Sequence, residues 1–138
     1  MNDITVIHRA DEAFAVLVRG HVICVDQPFG PGGVDDGPTP VELFVASLAA
    51  CAAHHGRRHL RDRGLPADGL EVRARFIMHA GARPRVARID LAVRPPLGLP
   101  EASAAALREA VERCTVRNSL LEVPSITVGV ESAQGQPA

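Results

Sequence analysis

A long predicted helix dominates the middle of this sequence. Thr39, Pro40 and Glu42 supply an N-cap hydroxyl, a proline at the first helical position and an acid three residues after the cap, which together are typical of a helix start. No further proline occurs before position 66, and Gly64 suits a helix C-cap. The pattern predicts a helix over residues 40–63, roughly 36 Å long at ~1.5 Å per residue.

The two halves of this helix differ in character. Residues 41–53 are apolar on every face, whereas residues 54–63 (HHGRRHLRDR) are mostly charged or basic. A helix that is apolar all round has to be covered all round. Gly56 lies near the junction and costs about 1 kcal/mol relative to Ala in a helix interior. We therefore expect a bend or a close helix crossing at Gly56.

Strand patterns flank the helix on both sides. Alternating apolar residues over 4–26 predict three strands in a meander, with turns at 11–12 and 20, and the Gly, Pro and Asp residues of 27–37 predict a loop. Residues 70–78 and 88–94 predict two half-buried strands joined by a turn at 81–84. An amphipathic second helix over 100–114, a helical turn through 121 and a last strand at 126–130 complete the order βββ-α-ββ-α-β. This order predicts an α+β fold.

The length and composition fit one ordinary globular domain. The chain has 138 residues, of which 46% are hydrophobic and 22% are charged. We expect a single domain over 1–138, made of N-terminal strands and loop at 1–37, a helix-strand-strand-helix-strand core at 38–131 and a tail at 132–138.

Charge and residue usage argue against several functional classes. The net charge is −1, all 15 basic residues are Arg, and the only aromatic side chains are 4 Phe. Without lysine, Schiff-base chemistry is unavailable, and the charge and aromatic content do not suit a nucleic-acid binder. The odd number of cysteines and the absence of a basic-then-apolar leader predict a cytoplasmic protein with reduced thiols. The longest apolar run, 43–53, is far shorter than the ~20 residues of a membrane span.

The cysteines and histidines are the candidates for chemistry. Cys51 lies in the apolar half of the long helix, and Cys114 lies on the predicted inner face of the second helix. The simplest interpretation makes both of them small core residues. His55 and His59 follow Cys51 at intervals of four, so all three share one helix face. An imidazolium there would favour a reactive thiolate, whereas a metal site is a weaker alternative because three ligands on one straight helix rarely converge.

Other polar residues give weaker signals. Cys24 lies on a predicted strand and is expected in the core, while His54 and His59 are most simply solvated residues on a helix face. Glu42 is best explained as the acid of the capping box. Nucleophile-elbow, phosphate-loop and His-Glu-x-x-His motifs are missing from the sequence.

Two cysteine motifs, in this order, resemble a known family. Residues 36–51 (DGPTPVELFVASLAAC) are similar to its central helix, and residues 114–121 (CTVRNSLL) with 124–128 (PSITV) are similar to its second cysteine motif and closing strand. The flanking 19–28 (RGHVICVDQP) and 59–64 (HLRDRG) also match. The family is the OsmC/Ohr superfamily of osmotically inducible and organic hydroperoxide resistance proteins, and the resemblance covers about residues 4–131.

The resemblance implies both a fold and an activity. The fold is α+β, with antiparallel sheets packed around a long central cysteine-bearing helix in an intertwined homodimer, which agrees with the apolar faces of 41–53. The activity is that of a cysteine-based organic hydroperoxide reductase in stress response and detoxification, without metal, haem or other cofactor. In that reaction Cys51 attacks the peroxide, Cys114 resolves the product as a disulfide, and a dithiol, lipoyl-linked in characterised relatives, restores the enzyme.

This sequence departs from the peroxidase pattern at one position. The peroxidase branches have a Glu ten residues before the first cysteine, paired with an N-terminal Arg that holds the thiolate, but this chain has Val41 there and Glu42 one position later. Glu42 is kept as a third candidate catalytic residue, and Arg9 and Arg19 are both candidates for the cation. The alternative function is a ligand-binding or redox-sensing dimer without efficient peroxidase activity.

Overall fold

The computed structural model describes residues 2–133. Its elements are, in chain order, β1 (Thr5–Ala10), β2 (Ala13–Val18), β3 (His21–Val25), α1 (Pro40–Asp62), β4 (Glu71–His79), β5 (Arg85–Arg94), a 3-10 turn (Glu101–Ser103), α2 (Ala104–Glu112) and α3 (Thr115–Leu121). The strands form two antiparallel sheets, β1-β2-β3 and β4-β5. The predicted α+β class is confirmed. Among residues 2–133, each helix is either too short or too polar for a membrane span.

The N-terminal sheet is the predicted meander. Its first turn is at Asp11, and its second is at Arg19 and Gly20, all with positive φ. Positive φ at both central residues suits a tight hairpin turn whose twist matches its strands. The sheet makes few contacts with the helices or with β4 and β5, and every residue of β1 is exposed. The sheet therefore leaves large apolar side chains such as Val6, Ile7 and Val22 in solvent.

A buried carboxylate organises the predicted loop at 27–37. Asp26 is only 1% exposed, and its side chain accepts hydrogen bonds from the backbone N–H groups of Gln27 at 2.7 Å and of Val34 and Asp36 at 3.1 Å. The bonds from Asp36 and Gln27 lower the pKa of Asp26 against the opposing effect of burial. The loop is therefore held by a charged core residue that the sequence pattern did not single out.

Helix α1 begins as predicted. The Thr39 hydroxyl accepts from the Glu42 N–H at 3.1 Å, and the Glu42 carboxylate accepts from the Thr39 N–H at 2.9 Å. The helix ends at Asp62, and Gly64 follows with φ +66°. The predicted bounds of 40–63 are confirmed to within one residue.

The core lies between α1, α2 and the β4-β5 sheet. The buried residues of this core cluster are Ala52, Leu60, Leu107 and Val111. Gly56 is buried at the crossing of α1 and α2, where a Cβ would lie 3.2 Å from Val111 Cγ2. The expected close helix crossing at Gly56 is confirmed.

The apolar half of α1 is covered on one side only. Val45 and Leu48 are buried, whereas Val41 and Phe44 are 36% and 40% exposed. A single chain therefore leaves part of the apolar surface of α1 exposed to solvent. Exposure of neighbouring apolar side chains is unfavourable and is typical of a surface that another molecule covers.

The C-terminal part of the chain differs from the prediction. The second helix is shorter than 100–114, because it starts with a 3-10 turn and ends at Glu112. The predicted last strand is absent from the described chain: residues 123–133 have no regular structure, and Ile126, Val128 and Val130 are 81%, 89% and 96% exposed. The alternation of apolar residues indicates a strand but does not provide a neighbouring strand to pair with. Residues 134–138 of the predicted tail lie outside the described residues.

Candidate active site

The structure brings Cys51 and Cys114 together from separate helices. Cys51 lies in the interior of α1 and is half-buried. Cys114 is fully buried and is the N-cap of α3, where its sulfur accepts a hydrogen bond from the Arg117 N–H at 3.4 Å. It was expected on α2, and this is wrong because α2 ends two residues earlier. Both cysteines are free thiols.

The two thiols interact closely enough to affect ionisation. Burial is the main reason that the pKa of Cys114 lies above its ordinary value, and the Cys51 thiol raises it further. The N–H groups of Arg117 and Val116 act in the opposite direction but do not reverse the effect. Cys114 therefore stays a neutral thiol at pH 7, beside a second sulfur with partial access to solvent.

An apolar cavity lies one helical turn from this pair. Its volume is about 530 Å³, and its lining includes Leu48 of α1, Leu91 of β5, Val111 of α2, and Arg117. Neither sulfur belongs to the lining. Leu48 precedes Cys51 by one turn, however, and Val111 and Arg117 lie on either side of Cys114 in the chain. The cavity is large enough for a small apolar ligand.

The histidines after Cys51 occupy different environments. His54 is exposed and His55 is half-buried, but His59 is only 8% exposed and its Nε2 is buried without a hydrogen-bond partner in the described chain. The expectation of a solvated His59 is wrong, because α1 turns this face toward α2. Among residues 2–133, no group of three or more His, Cys, Asp or Glu side chains is placed to hold a metal ion.

The other candidate residues lie apart from the thiol pair. Glu42 is exposed and occupied in the capping box. Arg9 donates to Cys24 Sγ at 3.3 Å and pairs with Asp36 at 3.7 Å, so Cys24 is half-buried beside a charge rather than in the apolar core. Arg19 is in the turn after β2. Within residues 2–133, neither arginine hydrogen-bonds Cys51.

Arg117 is the basic residue that the sequence reasoning missed. It lies in the first turn of α3, lines the apolar cavity, and its Nη1 donates to the Glu112 carbonyl at 3.0 Å. The signal for it was present, since Arg117 lies within the second cysteine motif. A short helix that starts at Cys114 places this guanidinium on the cavity side of the site.

Comparison with known proteins agrees with this architecture. The protein-family model for OsmC-like protein matches residues 33–129. No curated protein matches the chain. Among solved structures, an OsmC-like protein from Mycoplasma pneumoniae is similar with 17% identity and a TM-score of 0.76, covering 89% of each chain.

Two further solved structures share the fold. A protein from Psychrobacter arcticus 273-4, described as an osmotic stress induced and detoxification response protein, has 21% identity and a TM-score of 0.78 over 86% of this chain and 88% of its own. An organic hydroperoxide resistance protein OsmC from Legionella pneumophila has 17% identity and a TM-score of 0.61 over 87% of this chain and 90% of its own. With the family match over most of its length and the fold shared with these structures, this chain belongs to the OsmC-like family.

Proposed function

We propose that this protein reduces organic hydroperoxides through a two-cysteine mechanism. The observation that carries the proposal is the juxtaposition of Cys51 and Cys114, which are far apart in the sequence and come from different helices. Two neighbouring free thiols, one of them on a partly exposed residue, are the requirement for oxidation of one sulfur followed by disulfide formation with the other.

The reaction would proceed in three steps. The Cys51 thiolate attacks the terminal oxygen of ROOH, the O–O bond breaks, and the alkoxide takes a proton to leave as ROH, giving Cys51–SOH. The Cys114 sulfur then attacks the sulfenic sulfur and expels water as the disulfide forms. A dithiol reduces this disulfide by thiol–disulfide exchange and is itself oxidised to a disulfide.

Burial supports the order in which the sulfurs react. Only a thiolate is an effective nucleophile, and the buried Cys114 has a raised pKa and no access to solvent. Cys51 is half-buried and therefore accessible to a small molecule. Cys51 is thus the peroxide-reacting residue in this proposal, and Cys114 reacts only after the sulfenic acid has formed beside it.

The neighbouring cavity supports an organic rather than an inorganic peroxide. It is lined mainly by aliphatic side chains from α1, β5 and α2, and such a surface gains free energy by burying an alkyl group, at roughly 25 cal/mol per Å². Arg117 at the cavity wall would supply positive charge toward a developing alkoxide or thiolate. Glu42 contributes through the capping box that fixes the start of α1.

A homodimer is the proposed assembly. The exposed side of α1 at Val41 and Phe44, the poorly covered N-terminal sheet and the exposed apolar residues of 126–130 are apolar surfaces that a second copy would cover. Light scattering at micromolar concentration should give about twice the 14.6 kDa mass of one chain. A mass near that of one chain would contradict the proposal.

The activity test compares three cysteine variants. Purified protein is given cumene hydroperoxide with dihydrolipoamide as the dithiol, and peroxide loss is followed. Wild type should turn over. Cys51→Ser should abolish turnover, and Cys114→Ser should form a Cys51 sulfenic acid that dimedone traps but should not form the intramolecular disulfide.

Cys24→Ser is the matched control, since Cys24 lies on β3 beside Arg9 and away from the pair. It should keep wild-type turnover. Equal and slow peroxide consumption by wild type and Cys51→Ser would refute the proposed peroxidase activity. Binding of an apolar ligand with an affinity unchanged by Cys51→Ser would then favour a ligand-binding dimer. The unchanged affinity would be explained by the cavity lining, which includes neither sulfur.

A further inference from the structure

A second, polar pocket lies where the C-terminal half of α1 meets the end of α2. Its volume is about 160 Å³, and its lining is basic, with one acid and one small residue: His55, Arg58, His59, Asp62, Arg63, Ala110 and Arg113. The volume is below the roughly 300–1,000 Å³ of pockets that take drug-sized ligands. The pocket therefore suits a small ion or the head group of a larger molecule.

The positive charge of this pocket is only partly neutralised. Asp62, the acid of the lining, pairs with Arg61 outside the pocket at 3.3 Å. Arg63 donates to the His59 carbonyl at 3.3 Å, but within residues 2–133 the guanidinium groups of Arg58 and Arg113 have neither a hydrogen-bond acceptor nor a carboxylate within 4.0 Å. Two like charges from separate elements thus face one pocket without a direct ion-pair partner, and the Asp62 carboxylate in the lining is shared with Arg61.

The helix ends near the pocket neutralise only part of this positive charge. Arg63 caps α1, and Arg113 caps α2, so both lie near the negative end of a helix dipole, each equivalent to roughly −0.5 charge. Together these ends offset about one of the three arginine charges that line the pocket. A net positive pocket remains, and it attracts anions.

The buried histidine provides independent support. His59 lines the pocket, is more than nine-tenths buried, and its Nε2 has no partner in the described chain. A buried polar nitrogen without a hydrogen bond is unfavourable, and a bound ion that accepts a hydrogen bond from it is one way to satisfy it. Burial, with the charges of Arg63 and Arg113, lowers the pKa of His59, which leaves a neutral ring able to donate from Nε2.

We infer that this pocket binds a phosphate-type dianion, held by Arg58 and Arg113 and hydrogen-bonded by the His59 Nε2–H group. Arginine suits this role because its planar fork of N–H donors matches the oxygens of phosphate. The bound anion supplies both the counter-charge that the arginines lack and the acceptor that the histidine lacks. The site is distinct from the thiol pair and does not depend on peroxide reduction.

The test is a titration of the full chain with inorganic phosphate at constant ionic strength, followed by calorimetry and by the imidazole NMR signals of His59. Saturable binding with a shift of the His59 signals is expected for wild type. Arg58→Gln and Arg113→Gln should each weaken binding at least tenfold. Acetate, a monoanion, should bind at least tenfold more weakly than phosphate.

Arg57→Gln is the matched control, because Arg57 lies next to Arg58 on α1 but pairs with Asp68 and does not line the pocket. It should bind phosphate like wild type. Far-UV circular dichroism checks that each variant folds, which is expected because all three arginines are exposed. Non-saturable binding, unchanged His59 signals, equal weakening by Arg57→Gln, or equal binding of acetate would overturn the inference.

Discussion

Replacing Gly56 by alanine should destabilise the protein, although alanine is the better helix former. A Cβ at Gly56 would lie 3.2 Å from Leu70 Cδ2, 3.2 Å from Val111 Cγ2 and 3.3 Å from Leu107 Cδ1. The optimal separation of two carbon atoms is about 3.5–4.0 Å, so each neighbour has to give way by a few tenths of an ångström. Leu107 and Val111 belong to α2, whereas Leu70 precedes β4, so a shift of α2 alone does not relieve all three contacts.

The magnitude follows from two opposing contributions. Gly to Ala in a helix interior gains about 1 kcal/mol of helix propensity. Overpacking of a close-packed core costs about 1–3 kcal/mol, and three simultaneous contacts from two segments place this site in the middle of that range. The net expectation is a loss of about 1 kcal/mol in the free energy of unfolding.

Urea denaturation at fixed protein concentration measures this change, since the stability of an oligomer depends on its concentration. Gly30→Ala is the control, because a Cβ there meets nothing within 4 Å, and it should change the free energy of unfolding by no more than about 0.5 kcal/mol. Val111→Ala removes one of the three opposing atoms. In that background Gly56→Ala should cost at least about 0.5 kcal/mol less than in wild type, as coupling in a double-mutant cycle.

A stabilisation of about 1 kcal/mol by Gly56→Ala in the wild-type background would refute this reasoning. It would mean that α1 and α2 can separate slightly without cost, and that the glycine is not required by the crossing. Absence of coupling with Val111→Ala would have the same meaning, because Val111 Cγ2 is one of the two nearest atoms.

Three further predictions concern the helix cap, the buried thiol and the loop carboxylate. Thr39→Ala should lower the free energy of unfolding by about 1 kcal/mol in urea, because it removes the hydroxyl that accepts from the Glu42 N–H; an unchanged midpoint would contradict this. The pKa of Cys114 is raised in the folded protein. Above the ordinary thiol pKa of about 8.5, the unfolded chain therefore releases a proton that the folded chain keeps, and the free energy of unfolding should fall as pH rises. Cys114→Ala should flatten that slope in urea titrations between about pH 8 and 10. The pKa of Asp26 is lowered in the folded protein, so its contribution to stability is present above the ordinary aspartate pKa of about 3.9 and is lost as pH falls through the lower folded value. Asp26→Asn should make the loop at 27–37 more sensitive to limited proteolysis at neutral pH, because it weakens the hydrogen bonds that hold the loop. Equal cleavage rates in the variant and wild type would contradict the loop-holding role.

Local sequence signals were sufficient for most of the fold. The capping box at Thr39 and Glu42 and the tight turn at Arg19 and Gly20 are made by residues within a few positions of each other, so their chemistry is visible in the sequence itself. The close crossing at Gly56 was also predictable, because a glycine inside a helix has an energetic cost that needs a reason.

Features that depend on distant contacts were not predictable in the same way. The burial of His59 depends on where α2 lies, and the loop role of Asp26 depends on N–H groups up to ten positions away. Helical periodicity placed Cys114 on α2, but the chain ends that helix and makes Cys114 the cap of the next one. The exposed segment at 126–130 shows the same limit, since its pattern indicates a strand while the pairing partner is not specified by local sequence.

The placement of Cys114 at a helix start explains how one fold can keep two adjacent thiols chemically different. Hydrogen bonds from the N–H groups at the start of α3 favour a thiolate, but burial and the neighbouring Cys51 oppose this and prevail. The balance depends on the state of Cys51: once that sulfur is oxidised to an uncharged sulfenic acid, its charge repulsion toward a Cys114 thiolate is removed, while the N–H bonds from α3 remain. In the proposed cycle, oxidation of Cys51 would thus remove one of the two contributions that raise the pKa of Cys114, while the larger contribution of burial would remain.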